Sequence, residues 1–455
     1  MTTDSLPGVL SSACAEVREA RQDDAVAGVA PRFVARPASV AEAAAVMRAA
    51  ADQGLTALPR GAGTRLAWGS PPSGCDLLID TRGLNQVLEH AAGDLVVRVQ
   101  AGVGLEQLAA RLAAAGQRLA LDPPGARPPS PHDADPAGDR QTPGTIGGLL
   151  ATGMAGPLRL RYGTPRDLVI GITVVRADGT VASSGGKVVK NVAGYDLGKL
   201  FAGSYGTLGL IVEAAFRLHP LPAATAFVTL DATDADAVRA AVAAAVDSPL
   251  APSAAEIDRP ARGEPFRVGV LLEGDADGVA ERCARLTGLL GNGAAASPTA
   301  PAWWGRGAAA EPAGTVVRIG FWAEALAPVL AAVDGAASHA GLDPLVGGSA
   351  AAGVMYVAVS ADAPAVAVAR FVDDLRAALA GPSVVPAAAA ELATSRSPAD
   401  APPSWASAVV LHAPAEVCAA VDLWGPVPSL GLMRAVKAQF DPEHRMAPGR
   451  FAGGI

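Results

Sequence analysis

The chain is 455 residues long, which predicts two domains rather than a single core. Its 36 Lys and Arg stand against 44 Asp and Glu, a formal net charge of −8 that excludes nucleic acid as the main partner. Half of the residues are apolar, much of that alanine, yet no uncharged, proline-free run reaches the ~18 residues a spanning helix needs.

In chain order, residues 1–26 form an N-terminal segment whose opening, MTTDSLPGVL, has no basic stretch ahead of an apolar core; no signal peptide is expected, and a cytoplasmic chain is. FVARPASVAEAAAVMRAAADQGL predicts a short strand, a capping box of Ser39 and Glu42, and a helix closed by Gly54. The strand LTALPRG runs into LPRGAGTRLAW, residues 58–68, where both the helical and the strand pattern fail. CDLLIDTRGLNQVLEH and DLVVRVQAGVG are β-rich runs joined through AAGD as a hairpin. LEQLAARLAAAG carries Leu105, Leu108 and Leu112 and ends at Gly116, a helix of period near 3.6.

Residues 122–144 are rich in proline, glycine and aspartate and read as a mobile surface loop. TIGGLLATGMAG, residues 145–156, resumes order, with glycines where a helix prefers alanine. DLVIGITVVRADGTVASSGG predicts a hairpin with Asp178 and Gly179 at its turn, and GTLGLIVEAAFRLHP a further strand bounded by Pro220 and Pro222. From about 223 the texture changes to alanine-rich helices between short strands. Strand 225–230, helix 234–247, strands 253–258 and 266–272 and helix 275–289 are followed by strand 315–320, helix 322–336, strands near 344 and 355, and helix 362–379. That order is βαββα twice, two ferredoxin-like halves in one antiparallel sheet joined by the linker 291–314. The chain closes on FDPEHRMAPGRF, residues 440–451, a turn with two arginines.

The chemistry concentrates in the glycine-rich first half. A strand followed by RGAGT presents successive backbone amides from a tight turn, a concavity suited to phosphate oxygens, with the Thr64 hydroxyl beside it; a plain glycine turn is the other reading. The run has neither GxGxxG nor G-K-[ST], so it is no Rossmann or Walker loop. The glycines of 145–156 suit close approach to a flat ligand or a second phosphate contact, and GSYGTLGLIVE, residues 203–213, ends in a strand whose peptide groups can face an aromatic ring system. Cys14, Cys75, Cys283 and Cys418 are widely spaced without any CxxC, and the six histidines show no ligand spacing, so no metal site is expected. His412, in AVVLHAP, reads as a packed side chain, and Arg159 and Arg161 as a carboxylate site, surface charge or phosphate partners.

Together and in this order the four segments resemble the PCMH-type FAD-binding domain of the vanillyl-alcohol oxidase superfamily, over about residues 27–222 plus the tail. MAGPLRLRYGTPRDLVIG, residues 154–171, and SGGKVVKNVAGYDLGKLFAGSYGTLGLIVEAAFRLHP, residues 184–220, with KNVAGYDL at Lys190–Leu197, narrow the resemblance to the FAD-binding subunit of bacterial glycolate oxidase, a glycolate dehydrogenase. The implied fold is α+β: a two-subdomain PCMH-type FAD-binding domain at 27–222, a ferredoxin-like α+β cap domain with an antiparallel sheet at 223–428, and a C-terminal helix and tail, 429–455, returning to the first domain.

The resemblance also implies a cofactor site. Pro59, Arg60, Gly61, Ala62, Gly63, Thr64 and Arg65 would hold the FAD pyrophosphate through backbone amides, with Pro123 nearby. Gly144, Thr145, Gly147, Gly148, Ala151, Gly153 and Gly156 would line the opposite wall, and Gly206, Thr207, Gly209, Ile211 and Val212 would meet flavin and adenine through the main chain. Arg450 either approaches the flavin or is structural. Relatives that attach flavin covalently place a histidine just after the loop glycines; Thr64 and Arg65 stand here, so a non-covalent FAD is expected. Ala447 replaces the asparagine frequent before PGR, the 126–143 loop, which carries His132, is longer than the family pattern, and the His-x-Gly-Asp-Gly-Asn-x-x-His-like motif of catalytic relatives is absent. No catalytic residue is therefore assigned. Three functions follow from the resemblance. The chain is an FAD-bearing subunit that joins a homologous catalytic flavoprotein and an iron–sulfur subunit to oxidise a small 2-hydroxy acid, glycolate or D-lactate, near the membrane only through those partners. Alternatively it is a stand-alone 2-hydroxyacid or alcohol dehydrogenase using Arg and Tyr side chains, or an FAD scaffold that never cycles.

Overall fold

The computed structural model describes residues 6–124, 144–186, 196–305, 314–381, 384 and 406–455. Helix α1 (Leu6–Ala13) leads into a four-stranded sheet of β1 (Val17–Glu19), β2 (Phe33–Ala35), β3 (Ala57–Arg60) and β4 (Leu77–Asp80), ordered β1–β2–β4–β3. β4 lies parallel to both β2 and β3, and β1 closes one edge antiparallel. The crossover from β2 to β3 is α2 (Val40–Asp52), capped by Ser39, whose hydroxyl accepts from the Glu42 amide at 3.1 Å. Glu42 reaches back to the Ala38 amide, one residue ahead of the partner a capping box predicts. The α2 face of Ala43, Val46, Met47 and Ala50 buries against Leu77 and Ile79, each such aliphatic worth ~1.5–3 kcal/mol.

The second sheet, ordered β5–β6–β10–β8–β9, is antiparallel throughout: β5 (Val87–Ala91), β6 (Val96–Gln100), β8 (Val169–Val175), β9 (Val181–Gly185) and β10 (Leu210–Arg217). Two short strands, β7 (Gln117–Arg118) and β11 (His219–Pro220), pair beside it. The expected hairpin turn forms with Gly179 at φ +79°. Central β10 serves two cores. Leu210 and Val212 join the α2 cluster, while Ile211, Ala214 and Phe216 pack with α3 (Leu105–Ala113) and α4 (Ile146–Thr152). TIGGLLAT is thus helical despite its glycines, capped by Thr145 and ended by Gly153 at φ +64°. Three short helices follow, α5 (Arg159–Tyr162), α6 (Pro165–Leu168) and α7 (Gly198–Phe201). Most of the 122–144 segment, His132 included, and Lys190–Tyr195 of KNVAGYDL lie outside the described residues.

The alanine-rich region folds as the doubled βαββα order predicts. β12 (Ala224–Ala232), α8 (Ala235–Val246), β13 (Ala254–Arg259), β14 (Phe266–Gly274) and α9 (Ala276–Leu290) are answered by β16 (Thr315–Phe321), α10 (Leu326–Ala340), β17 (Leu345–Gly348), β18 (Val354–Val359) and α11 (Ala365–Leu379). With β15 (Ala295–Ser297) and β19 (Ala406–His412) at the edges they build one eight-stranded antiparallel sheet whose halves meet at β13–β17. The helix expected at 322–336 begins later, at Leu326, after a 3-10 turn over Ala323–Ala325. Val329, Leu330 and Val333 of α10 and Phe371, Val372 and Leu375 of α11 fill the core between sheet and helices. The chain ends through α12 (Ala415–Ala420) and α13 (Leu430–Phe440), after which Arg445 and Ala447 exchange backbone hydrogen bonds with Ala57 along the free edge of β3.

Candidate cofactor cleft

Beyond β3 the chain turns through Gly61–Arg65 and opens a cleft walled opposite by Gly144, Thr145, Gly148, Leu149, Ala151 and Thr152 and closed by Tyr205 and Arg450. A Cβ at Gly61 would overlap Thr145 Oγ1, so only glycine lets the loop lie against the α4 cap. Gly63, at φ +82°, faces open space, a conformation that disfavours any side chain. The amides of Gly61, Ala62, Gly63, Thr64 and Arg65 have no acceptor among the described residues. Five successive free donors on a glycine turn fit a diphosphate. Arg65 crosses the cleft mouth to donate to the Pro124 carbonyl at 2.7 Å, its guanidinium 5.5 Å from the Trp68 ring centre, and burial pulls its pKa below the ordinary value.

Of the residues singled out in the sequence, Pro59–Arg65, Gly144, Thr145, Gly148, Ala151 and Arg450 meet at this cleft. Pro123, Gly147, Gly153, Gly156, Gly206, Thr207, Gly209, Ile211 and Val212 do not line it. Several of those glycines answer to the chain's own packing: a Cβ would come 2.9 Å from the Ala101 side chain at Gly147, overlap the Asp122 carbonyl at Gly156, and come 3.2 Å from the Pro59 ring at Gly206. Gly147 also spends its amide on the Ala101 carbonyl, as Ile146 does on Val103. Thr207 is buried with its hydroxyl on the Ser204 carbonyl, and the Ile211 and Val212 side chains point into the two cores. Arg450, which lines the cleft, donates to the carbonyls of Leu66, Trp68 and Ser70, and burial lowers its pKa to about 10.

Other groups at the site escape sequence reading. Tyr205 holds φ +55°, rare for a side-chain-bearing residue, with its ring 5.3 Å from Trp424 and 5.7 Å from Phe451. Its position inside GSYG was the one available signal. Across from it the eight-stranded sheet presents Val316, Tyr356 and Leu411, which pack with Trp68, Leu149 and Met154. On that face Arg318 stands in register with Tyr356 and Val409, half-buried and without an ion pair or hydrogen bond among the described residues. Further along, Arg118 holds Glu273 at 2.6 and 2.8 Å, with the Tyr162 hydroxyl donating to the same carboxylate at 3.0 Å. Between the layers, burial pushes the Asp122 carboxyl up to about 7 and that of Glu256, bonded by the Ser349 hydroxyl, up to about 8. Among the described residues no group of His, Cys, Asp or Glu is arranged to hold a metal, and no helix is long and apolar enough to cross a membrane.

The profile of the family described as an FAD binding domain matches residues 31–130 and 134–185. An uncharacterized FAD-linked oxidoreductase of Mycobacterium tuberculosis is 33% identical over 226 residues, 50% of this chain and 46% of that protein. Glycolate oxidase subunit GlcD of Bacillus subtilis is 34% identical over 42% of this chain and 38% of its own length, and subunit GlcE of Escherichia coli 35% identical over 36% and 43%. The matched stretch therefore spans less than half of these relatives. Among solved structures, an alkyldihydroxyacetonephosphate synthase superposes with a TM-score of 0.64 over 92% of this chain and 76% of its own, at 16% identity, which shows a shared fold.

Proposed function

From an FAD-binding domain of the PCMH type in the first half of the chain, we propose that the protein holds FAD non-covalently in the cleft between Pro59–Arg65 and Gly144–Thr152. In this reading it serves as the FAD-bearing subunit of a 2-hydroxyacid dehydrogenase that oxidises glycolate or D-lactate, beside a homologous catalytic flavoprotein and an iron–sulfur subunit. Residues 27–222 form its cofactor domain, 223–428 its cap, and 429–455 the tail that returns. It works in the cytoplasm, reaching the membrane through its partners. The observation that carries the reading is the row of amides from Gly61 to Arg65 that have no acceptor among the described residues.

FAD, when bound, supplies the electron-accepting ring. The chain supplies grip and seclusion: the loop amides offset the diphosphate charge, and Trp68, Leu149, Met154 and Tyr356 exclude water. The catalytic relatives' histidine motif is missing from the sequence, which favours the subunit reading over self-sufficient chemistry. One observation favours the second reading, a stand-alone dehydrogenase. Arg318, opposite Tyr205 and without an ion pair or hydrogen bond among the described residues, is a cation suited to a carboxylate, though no base for the hydroxyl proton accompanies it among those residues.

The purified chain should be yellow, with flavin absorbance, and Gly61→Val with Gly63→Val should lose the colour while remaining folded by circular dichroism; retained FAD would show that the loop is misassigned. Anaerobic addition of glycolate or D-lactate separates the two readings. No bleaching of the isolated chain, with bleaching in the reconstituted assembly, is expected, and bleaching of the chain alone would establish the second.

A further inference from the structure

The cofactor loop is braced from behind by a segment that precedes the first matched residue, 31, of the FAD-binding family. Arg60, the residue just ahead of the free amides, directs its guanidinium away from the loop into an alternating ladder: Arg18, Asp24, Arg60, Asp80, Arg82. Asp24 is the hinge of that ladder. It is buried, and its carboxylate accepts from Arg18 at 2.6 and 2.8 Å, from Arg60 at 2.9 Å and from the Arg21 amide at 2.8 Å. Asp80 takes the other arm of Arg60 at 3.4 Å, and Thr81 donates its hydroxyl to the Arg60 carbonyl at 3.1 Å. The segment carrying Asp24 is itself anchored, since Val26 buries with Leu58, Leu78 and Ala447 beside β3 and β4.

Both the main chain and the side chain of Arg60 are therefore fixed before any ligand arrives, which sets the start of the Gly61–Arg65 turn. Glycine-rich turns have many conformers to lose, so a turn ordered in advance binds more tightly than one the ligand must order. We propose that Asp24 is a positioning residue for the cofactor loop: through Arg60 it preorganises the amides that grip the diphosphate, making the N-terminal segment a determinant of FAD affinity. This rests on the reading of the cleft as the FAD site.

The test is an FAD titration of apoprotein by flavin fluorescence, with the thermal midpoint of the same apoproteins measured in parallel. Asp24→Asn should raise the Kd for FAD about tenfold to a hundredfold, the range expected when a charge-assisted hydrogen bond is lost. Arg60→Gln should raise it by a similar factor, and the double variant no further, because both act through one contact. Asp24→Glu should recover part of the affinity. A lower midpoint with an unchanged Kd would reduce Asp24 to a fold brace and overturn the proposal, as would additive losses in the double variant. If Asp24→Asn does not accumulate as folded protein, Arg60→Gln decides: an unchanged Kd overturns the proposal and a matching loss supports it. Wild-type protein that binds no FAD would instead refute the cleft assignment.

Discussion

A glycine in a sequence reports that a Cβ has no place there, and it does not report what excludes it. Gly61 and Gly63 stand at the cleft, whereas Gly147 and Gly156 answer to Ala101 and Asp122 of the same chain. Both kinds of constraint leave the same letter, so RGAGT and TIGGLLATGMAG read alike in the sequence although Gly61 and Gly63 line the cleft and Gly147 and Gly156 do not. Titratable groups were harder still, because burial is a property of distant neighbours. Asp122 and Glu256 titrate near 7 and 8 when folded and near 3.8 and 4.5 otherwise, burial being the main cause. Their folded pKa values lie above the unfolded ones. The stability these neutral carboxyls contribute is thus fully present below about pH 4 and is lost as pH rises toward 8. The unfolding free energy should fall across that window by on the order of 1 kcal/mol or more per group, and the thermal midpoint should fall with it. Asp122→Asn and Glu256→Gln together should flatten the profile, and an unaltered slope would remove these groups as its source.

At the level of elements, the period of apolar residues was a good guide. The doubled βαββα order was readable because the helices repeat apolar residues near a 3.6-residue period and several strands stop at turn residues, as β14 does at Gly274 and β17 at Gly348. Tertiary joints were not readable, since nothing local marks the partner. Lys437 of α13 is fully buried, with Nζ donating to the Thr207 and Met446 carbonyls and, at 2.6 Å, to Asp441. Asp441 in turn accepts from the Arg445 and Met446 amides. Burial pulls the lysine pKa below its ordinary value, against the pull of Asp441, so the pair is held by geometry rather than by solvent. Lys437→Met should cost ~3–5 kcal/mol by stranding the Asp441 charge, and Lys437→Met with Asp441→Leu should regain a good part of it. Urea melts of the two variants measure this directly; equal destabilisation would mean that the backbone contacts, not the charge, hold α13.

Across the whole molecule the cleft and its cover come from segments far apart in sequence, so their meeting had to be seen rather than read. The polar seam between the layers joins Arg118 of β7 to Glu273 of β14, 155 positions away. Arg118→Met should leave the buried Glu273 without its counter-charge, held only by hydroxyl donors such as Tyr162, loosen the seam, and raise amide exchange in β7, β11 and β14 more than in the α10–α11 core. Uniform protection in the variant would show that apolar packing alone seats the two layers. The remaining consequence lies in β10, whose two faces belong to different cores. A strand gripped from both sides cannot yield alone, so the first half of the chain should melt as one cooperative unit. Fragments divided anywhere between its two sheets should remain unfolded until recombined.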